Sequence, residues 1–132
     1  VLTDAATGSI LPGLAGFRVF CGHWSLTDSY EVRNELLKEL GFQTKAVGDK
    51  KLLELGESFR SQITILREQI ASDRFDYLVL KEDQILFKEL WNVDRDSVIY
   101  SGAKYRVFRM GPKIRKELIT KTHLLRAKAT SG

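Results

Sequence analysis

The chain has 132 residues, of which 43% are hydrophobic and 29% are charged. This composition is typical of one globular domain and excludes a disordered or low-complexity chain. Its single cysteine, Cys21, excludes an internal disulfide framework and a multi-cysteine zinc site, and no apolar run approaches the roughly 18 residues that a membrane span requires.

The charge is distributed unevenly along the chain. The formal net charge is +4, but the segment from Lys104 to the end holds nine basic residues and one acidic residue, Glu117. The first 103 residues hold twelve basic and sixteen acidic residues. A basic segment of this kind indicates an acidic partner, either nucleic acid or an acidic protein surface. A solvated strand face followed by a tail is the alternative.

The first 16 residues are small and polar and are interrupted by Gly and Pro, which predicts an extended arm. Its apolar residues Ile10, Leu11 and Leu14 are candidates for docking, either on a neighbouring subunit or on the chain's own domain. The next segment, FRVFC at 17–21, begins with alternating apolar and polar residues and predicts a strand.

A helix is predicted next, with signals at both of its ends. Asp28 is a suitable N-cap, and Glu31 follows three residues later as in a capping box. Gly41 stands where a glycine ends a helix. The apolar residues at helical spacing are Val32, Leu36, Leu37 and Leu40.

The remainder of the chain predicts mostly short strands. Residues 42–47 predict a strand before a Gly48-Asp49 turn, and 62–68 and 75–80 predict two more. Three further segments fit either a strand or a short helix: 51–55, 84–90 and 117–127.

Residues 96–109 predict a β-hairpin with its turn at Ser101-Gly102. Alternation in its second arm sets Tyr105 and Val107, with Phe108 as a further candidate, toward the core and Lys104, Arg106 and Arg109 outward. The sum is an α+β fold, a small antiparallel β-barrel or sandwich with one helix in the N-terminal half and extended termini. The predicted division is an arm at 1–16, a single β-rich domain at 17–127 and a C-terminal tail at 128–132.

The sequence predicts no catalytic residue, no metal site and no cofactor. Cys21 and His23 would share one side of a strand, where an imidazole lowers the pKa of a thiol, although a buried cysteine at a strand end is the commoner case. The only two histidines, His23 and His123, are far apart in the chain and do not supply the three or four ligands of a zinc site. The chain is therefore expected not to be an enzyme.

One alternative is an enzyme. The segments Arg18-Val19-Phe20, His23-Trp24-Ser25 and Asp28-Ser29-Tyr30 resemble the opening of Toll/interleukin-receptor-like domains of bacterial defence systems. The rest of the chain lacks the repeated strand–helix units that such a domain needs.

Nucleic-acid binding is the alternative from a different class that ranks ahead of an enzyme. A small β-barrel stacks single-stranded bases on aromatic side chains that lie between Lys and Arg. The residues available for this are Tyr100, Tyr105, Phe108, Arg106 and Arg109. However, the predicted alternation puts the rings in the core and the charges outside, whereas stacking needs both on one face.

The main hypothesis comes from the hairpin itself. Residues 96–109, DSVIYSGAKYRVFR, resemble a hairpin of the head-closure and head–tail joining proteins in the necks of tailed phages. Both have an Asp, an apolar pair, a polar-Gly turn, and an aromatic residue and Val on the returning strand. With its flanks, the resemblance spans about 75–126. A minimal head-closure barrel does not contain a helix like the one predicted at 28–40. The resemblance therefore fits a stopper, a tail terminator or a collar protein equally.

The resemblance implies a structural virion component of the phage neck, present in the host cytoplasm during assembly. It implies a homo-oligomeric ring that contacts portal, adaptor or tail proteins, with packaged DNA as a further contact and no membrane association. The predicted interface residues are Ile10, Leu11, Leu14, Tyr105, Arg106, Arg109, Lys113, Arg115 and Lys116.

Overall fold

The computed structural model describes residues 1–4, 7, 20–21, 30–43 and 50–130, and of residues 50–55 and 129–130 it describes the backbone alone. Within these ranges the chain forms four helices, three strands and a short 3₁₀ turn. In chain order they are α1 (Tyr30–Leu40), α2 (Lys50–Ala71), β1 (Tyr77–Lys81), α3 (Ile85–Asp94), the 3₁₀ turn (Arg95–Ser97), β2 (Val98–Ser101), β3 (Tyr105–Arg109) and α4 (Pro112–Thr130). α2 is kinked at Gly56, whose φ of 54° is not helical.

The three strands form one antiparallel sheet in the order β1-β3-β2. β3 lies in the middle, with Leu78 of β1 and Val98 of β2 both opposite Phe108. A bulge between Val98 and Tyr100 shifts the register of β2. The α+β class and the hairpin are confirmed, but the predicted barrel is wrong, because this sheet of three described strands does not close on itself.

Helices, not further strands, complete the core. The buried residues of α2 recur at helical spacing, at Phe59, Ile63, Leu66 and Ile70. α2 packs along α4, and α3 lies against both β1 and α4. Buried side chains of all four helices join Leu78, Leu80 and Phe108 of the sheet in one apolar cluster. One face of the sheet is thereby covered with hydrophobic side chains.

One segment predicted as a strand and all three segments left open between strand and helix are helical. Residues 62–68 and 51–55 lie within α2, residues 85–90 of the segment 84–90 lie in α3, and residues 117–127 belong to α4, which continues through Thr130. The expected C-terminal tail from Lys128 is therefore helical as far as the described residues reach. Pro112 begins α4, where its missing N–H costs no hydrogen bond. Of the predicted strand at 42–47 and its turn at 48–49, residues 44–49 lie outside the described residues, and residues 42 and 43 are not in a strand.

The first residues dock on the chain's own domain. Leu2 forms a parallel bridge with Leu78 and is completely buried. Its N–H donates to the Tyr77 carbonyl at 2.9 Å, and its carbonyl accepts from the Val79 N–H at 3.0 Å. The beginning of the predicted arm thus covers the outer edge of β1. Ile10, Leu11 and Leu14 lie outside the described residues.

The predicted helix at the N-terminal half is confirmed from Tyr30 to Leu40. Leu36, Leu37 and Leu40 are buried, as their spacing predicts. Beyond the last turn, the Gly41 N–H donates to the Lys38 carbonyl and the Phe42 N–H donates to the Leu37 carbonyl. This pair of bonds is a Schellman motif, which ends the helix. The predicted N-cap, Asp28, lies outside the described residues.

Candidate functional site

The register of the sheet divides its side chains between two faces. Residues directly opposite each other in antiparallel strands point to the same side, and successive residues point to opposite sides. Phe108, Leu78 and Leu80 therefore point into the core. The other face, called the open face below, consists of Tyr77, Val79, Lys81, Tyr100, Tyr105, Val107 and Arg109.

The open face combines aromatic rings with basic side chains in direct cross-strand pairs. Tyr77 lies opposite Arg109, and Lys81 lies opposite Tyr105. Tyr100, on β2, lies opposite Val107. Tyr100 is 61% exposed, Tyr77 is 36% exposed, and Arg109 is also exposed. Three tyrosine rings and two cations thus share one surface of the sheet.

Lys81 has two partners at the open face, an aromatic ring and a carboxylate. Its Nζ lies 5.9 Å from the centroid of the Tyr105 ring and 3.8 Å from the Asp4 carboxylate. A cation at this distance from a ring is attracted by its π face. Because Asp4 offsets part of the Lys81 charge, the end of the face at Arg109 carries more of the uncompensated positive charge.

Beyond that end, the first turns of α4 add further cations. Lys113 and Lys116 are exposed. Neither of them, nor Arg109, forms an ion pair within the part of the chain that the structure describes. Exposed unpaired cations of this kind attract anions at long range.

Two of the predicted interface residues, Arg106 and Arg115, form ion pairs within the chain. Arg106 points toward the core side of the sheet, where its guanidinium lies 3.0 Å from the Glu82 carboxylate and its side chain is 18% exposed. Arg115 pairs with Asp73 and also donates to the Met110 carbonyl. Arg106 and Arg115 therefore hold elements of the fold together.

The side chains of the second hairpin arm, β3, do not face the sides predicted for them. That prediction was the argument against nucleic-acid binding. Tyr105 and Val107, with Phe108 as a further candidate, were expected in the core, with Arg109 outside. Of these three, Phe108 alone occupies the core, fully buried and edge-on to Phe87 with ring centroids 5.9 Å apart. Alternation then turns Tyr105, Val107 and Arg109 together to the other face. The rings and the charge that sequence reasoning separated are on the same side.

Sequence reasoning also missed the contribution of β1. Tyr77, Val79 and Lys81 alternate with Leu78 and Leu80 in the sequence YLVLK. This alternation by itself predicts a polar-aromatic face and an apolar face. Local sequence patterns do not show that β1 pairs with β3, and this pairing is what brings the two strands' side chains onto one face.

The thiol of Cys21 does not have the properties of a nucleophile. Cys21 is 1% exposed, and burial raises the pKa of its thiol to about 11, with the nearby Arg33 charge opposing the shift. A thiol of this kind is protonated at neutral pH and reacts slowly. Its proposed partner, His23, lies outside the described residues, as does the 22–29 stretch of the Toll/interleukin-receptor-like resemblance.

The described residues contain no group of three or more His, Cys, Asp or Glu side chains placed to hold a metal ion. None of the helices described is both long enough and apolar enough to cross a membrane. Comparisons of the chain with protein-family models, with curated proteins and with solved structures found no match. The chemistry of the open face is therefore the principal guide to function.

Proposed function

We propose that this protein binds single-stranded nucleic acid on the open face of its sheet. The observation that carries the proposal is the shared face of Tyr77, Tyr100 and Tyr105 with Lys81 and Arg109. Exposed rings on a sheet stack unpaired bases, and neighbouring cations contact the phosphates that link them.

The geometry favours a single strand over a duplex. Neighbouring strands are about 4.8 Å apart, so the three strands span roughly 10 Å, which suits a few unpaired bases lying flat. In a duplex the bases are stacked on each other and their faces are not available to protein rings. Among the described residues, no helix lies on the open face to enter a groove.

The charge of the molecule supports the same proposal. The formal net charge is +4 and the sequence pI is about 9.3. Arg109 is exposed at one end of the open face, and Lys113 and Lys116 are exposed in the first turns of α4, which follows β3 in the chain. We infer that the phosphate backbone enters at this end and that the bases lie across the tyrosines.

The test is the binding of fluorescently labelled single-stranded DNA and RNA of about 12 nucleotides, followed by anisotropy at several salt concentrations. Each base that stacks on a ring contributes about 1–3 kcal/mol, so Tyr100→Ala should weaken binding about 5-fold or more, whereas Tyr100→Phe should bind nearly as well as the unaltered protein. Arg109→Ala should reduce the steepness of the salt dependence by about 0.7 in a double-logarithmic plot.

The matched control is Leu124→Ala, because Leu124 is as exposed as Tyr100 but lies on α4 away from the open face. We expect this variant to bind normally. Absence of binding to both DNA and RNA at low ionic strength, or equal binding by Tyr100→Ala and the unaltered protein, would contradict the proposal.

We also propose a second candidate function, a structural role in a phage neck as a homo-oligomeric ring with portal, adaptor or tail proteins. The observation that favours it is the hairpin of β2 and β3, whose outer strand displays Ile99 and Tyr100 to solvent. The open, three-stranded sheet departs from the barrel expected for that role. Light scattering on the purified chain tests it, since a ring has a mass several times 15.0 kDa.

A further inference from the structure

We propose that Asp4 is an internal competitor for phosphate at Lys81, so that the N-terminal residues docked on β1 limit how tightly the open face binds nucleic acid. This inference rests on the function proposed above and concerns the regulation of the same face. Its starting point is the ion pair between the Asp4 carboxylate and Lys81 Nζ, which are 3.8 Å apart. A carboxylate at this distance competes with a phosphate oxygen for the same ammonium group.

The Asp4 carboxylate is held by two hydrogen bonds in addition to the ion pair. The Thr7 N–H donates to Oδ1 and Gln84 Nε2 donates to Oδ2, each at 2.7 Å. Hydrogen bonds to an ionised carboxylate are stronger than those between neutral groups. The Asp4 side chain is only 14% exposed. Its position therefore does not depend on Lys81 alone.

Gln84 connects the carboxylate to Lys81 itself. Its side-chain carbonyl accepts from the Lys81 N–H at 3.0 Å, while its side-chain amide donates to Asp4. Gln84 is 4% exposed, so both bonds are sheltered from water. Next to Asp4, the buried Thr3 hydroxyl donates to the Val79 carbonyl at 2.8 Å. The contact is therefore part of the packed structure and not a meeting of two mobile surface side chains.

The two ends of the open face consequently differ in what they offer a phosphate. Tyr77 and Arg109 pair at one end, and Lys81 and Tyr105 pair at the other. Arg109 is exposed and forms no ion pair among the described residues. The Lys81 side chain is 38% exposed, so a phosphate can reach it, but only by displacing Asp4. A bound strand gains less from Lys81 than from Arg109.

The experiment is the anisotropy assay with single strands of about 12 nucleotides, applied to Asp4→Asn, which removes the charge and keeps the shape. We expect this variant to bind about 2- to 5-fold more tightly than the unaltered protein, because an ion pair of this exposure is no longer broken on binding. The salt dependence should also become steeper, by up to about 0.7 in a double-logarithmic plot, as Lys81 takes up a phosphate contact.

A second background separates competition at Lys81 from a general effect of charge. In Lys81→Ala, the further change Asp4→Asn should no longer steepen the salt dependence, and its effect on affinity should fall to that of the control. The control is Asp83→Asn, which removes an exposed carboxylate two residues from Lys81 that forms no ion pair in the described part of the chain. We expect Asp83→Asn to leave the salt dependence unchanged.

Circular dichroism establishes that each variant is folded. Asp4→Ser, which retains an acceptor for the Thr7 N–H, should give the same result and replaces Asp4→Asn if that variant is unfolded. Binding that Asp4→Asn leaves unchanged, or a gain that persists in full in Lys81→Ala, would overturn this inference and leave the proposed function intact. Absence of binding by the unaltered protein and by every variant would overturn the proposed function, and this inference with it.

Discussion

At the scale of single residues, Gly41 has the most restrictive position in the described structure. Its φ of +122° lies where side chains are strained, and a Cβ added there would lie 2.8 Å from the Leu86 Cβ. The Gly41 carbonyl also accepts a hydrogen bond from the Leu86 N–H at 2.9 Å. The glycine thus ends α1 and at the same time permits the start of α3 to approach.

We expect Gly41→Ala to lower the free energy of unfolding by about 2–4 kcal/mol, from backbone strain together with overpacking against the buried Leu86. Urea denaturation measures the change. The control is Gly111→Ala, where the nearest atom to an added Cβ is the Ser97 Oγ at 3.9 Å and the change should stay within about 1 kcal/mol. Equal effects of the two substitutions would show that close packing at Gly41 is unimportant.

The thiol of Cys21 gives a second prediction at this scale. Because burial raises its pKa to about 11, iodoacetamide should alkylate the folded protein at pH 8 at least about 100-fold more slowly than the protein in denaturant. As the pH rises, the thiol of the unfolded chain loses its proton before the thiol of the folded protein does. The free energy of unfolding should therefore fall between about pH 9 and about pH 11. Cys21→Ala should lack that share of the pH dependence. A rapidly alkylated native thiol would contradict the burial.

At the scale of elements, the predictable features are those that short-range patterns encode. The spacing of Leu36, Leu37 and Leu40 predicts α1, and Gly41 predicts its end. The prediction of a strand at 62–68 was wrong, because Ile63 and Ile65 alternate within that short window. The longer series Phe59, Ile63, Leu66 and Ile70 has the helical period and packs against α4. Tertiary contacts over the whole helix decide between the two periods.

The open face was only partly predictable for the same reason. Alternation correctly separates Tyr105 from Arg106, but it does not say which side faces the core. Phe108 takes the core side, so Tyr105 and Val107, which were expected inside, face outward. The pairing of β1 with β3 joins residues about 28 positions apart, and no local pattern contains it.

The assignment of the two faces can be tested by stability alone. Phe108→Ala should lower the free energy of unfolding by about 3–5 kcal/mol, because it leaves a cavity against Phe87. Tyr100→Ala, on the open face at 61% exposure, should change it by no more than about 1 kcal/mol. Thermal or urea denaturation of both variants gives the comparison. The opposite ranking would place the core on the other side of the sheet.

At the scale of the whole molecule, α4 connects the other elements. Ile114, Leu118 and Leu125 are buried in the common core. Ion pairs link Lys121 to Glu89 on α3 and Arg115 to Asp73 after α2. The basic segment from Lys104 onward is therefore not a free tail. It is partly structural, and only the cations on its exposed side are available to an acidic partner.

This arrangement predicts opposite outcomes for two truncations of the C-terminus. Removing 129–132 should leave the unfolding transition unchanged, because no described side chain of the core is lost. Ending the chain at Lys113 removes the three buried apolar side chains, whose burial contributes about 1.5–3 kcal/mol each. That sum is comparable to the total stability of a small domain, so the shorter chain should lose its cooperative transition. Calorimetry distinguishes the cases, and a cooperative transition in the shorter chain would mean that the sheet and the first three helices fold without α4.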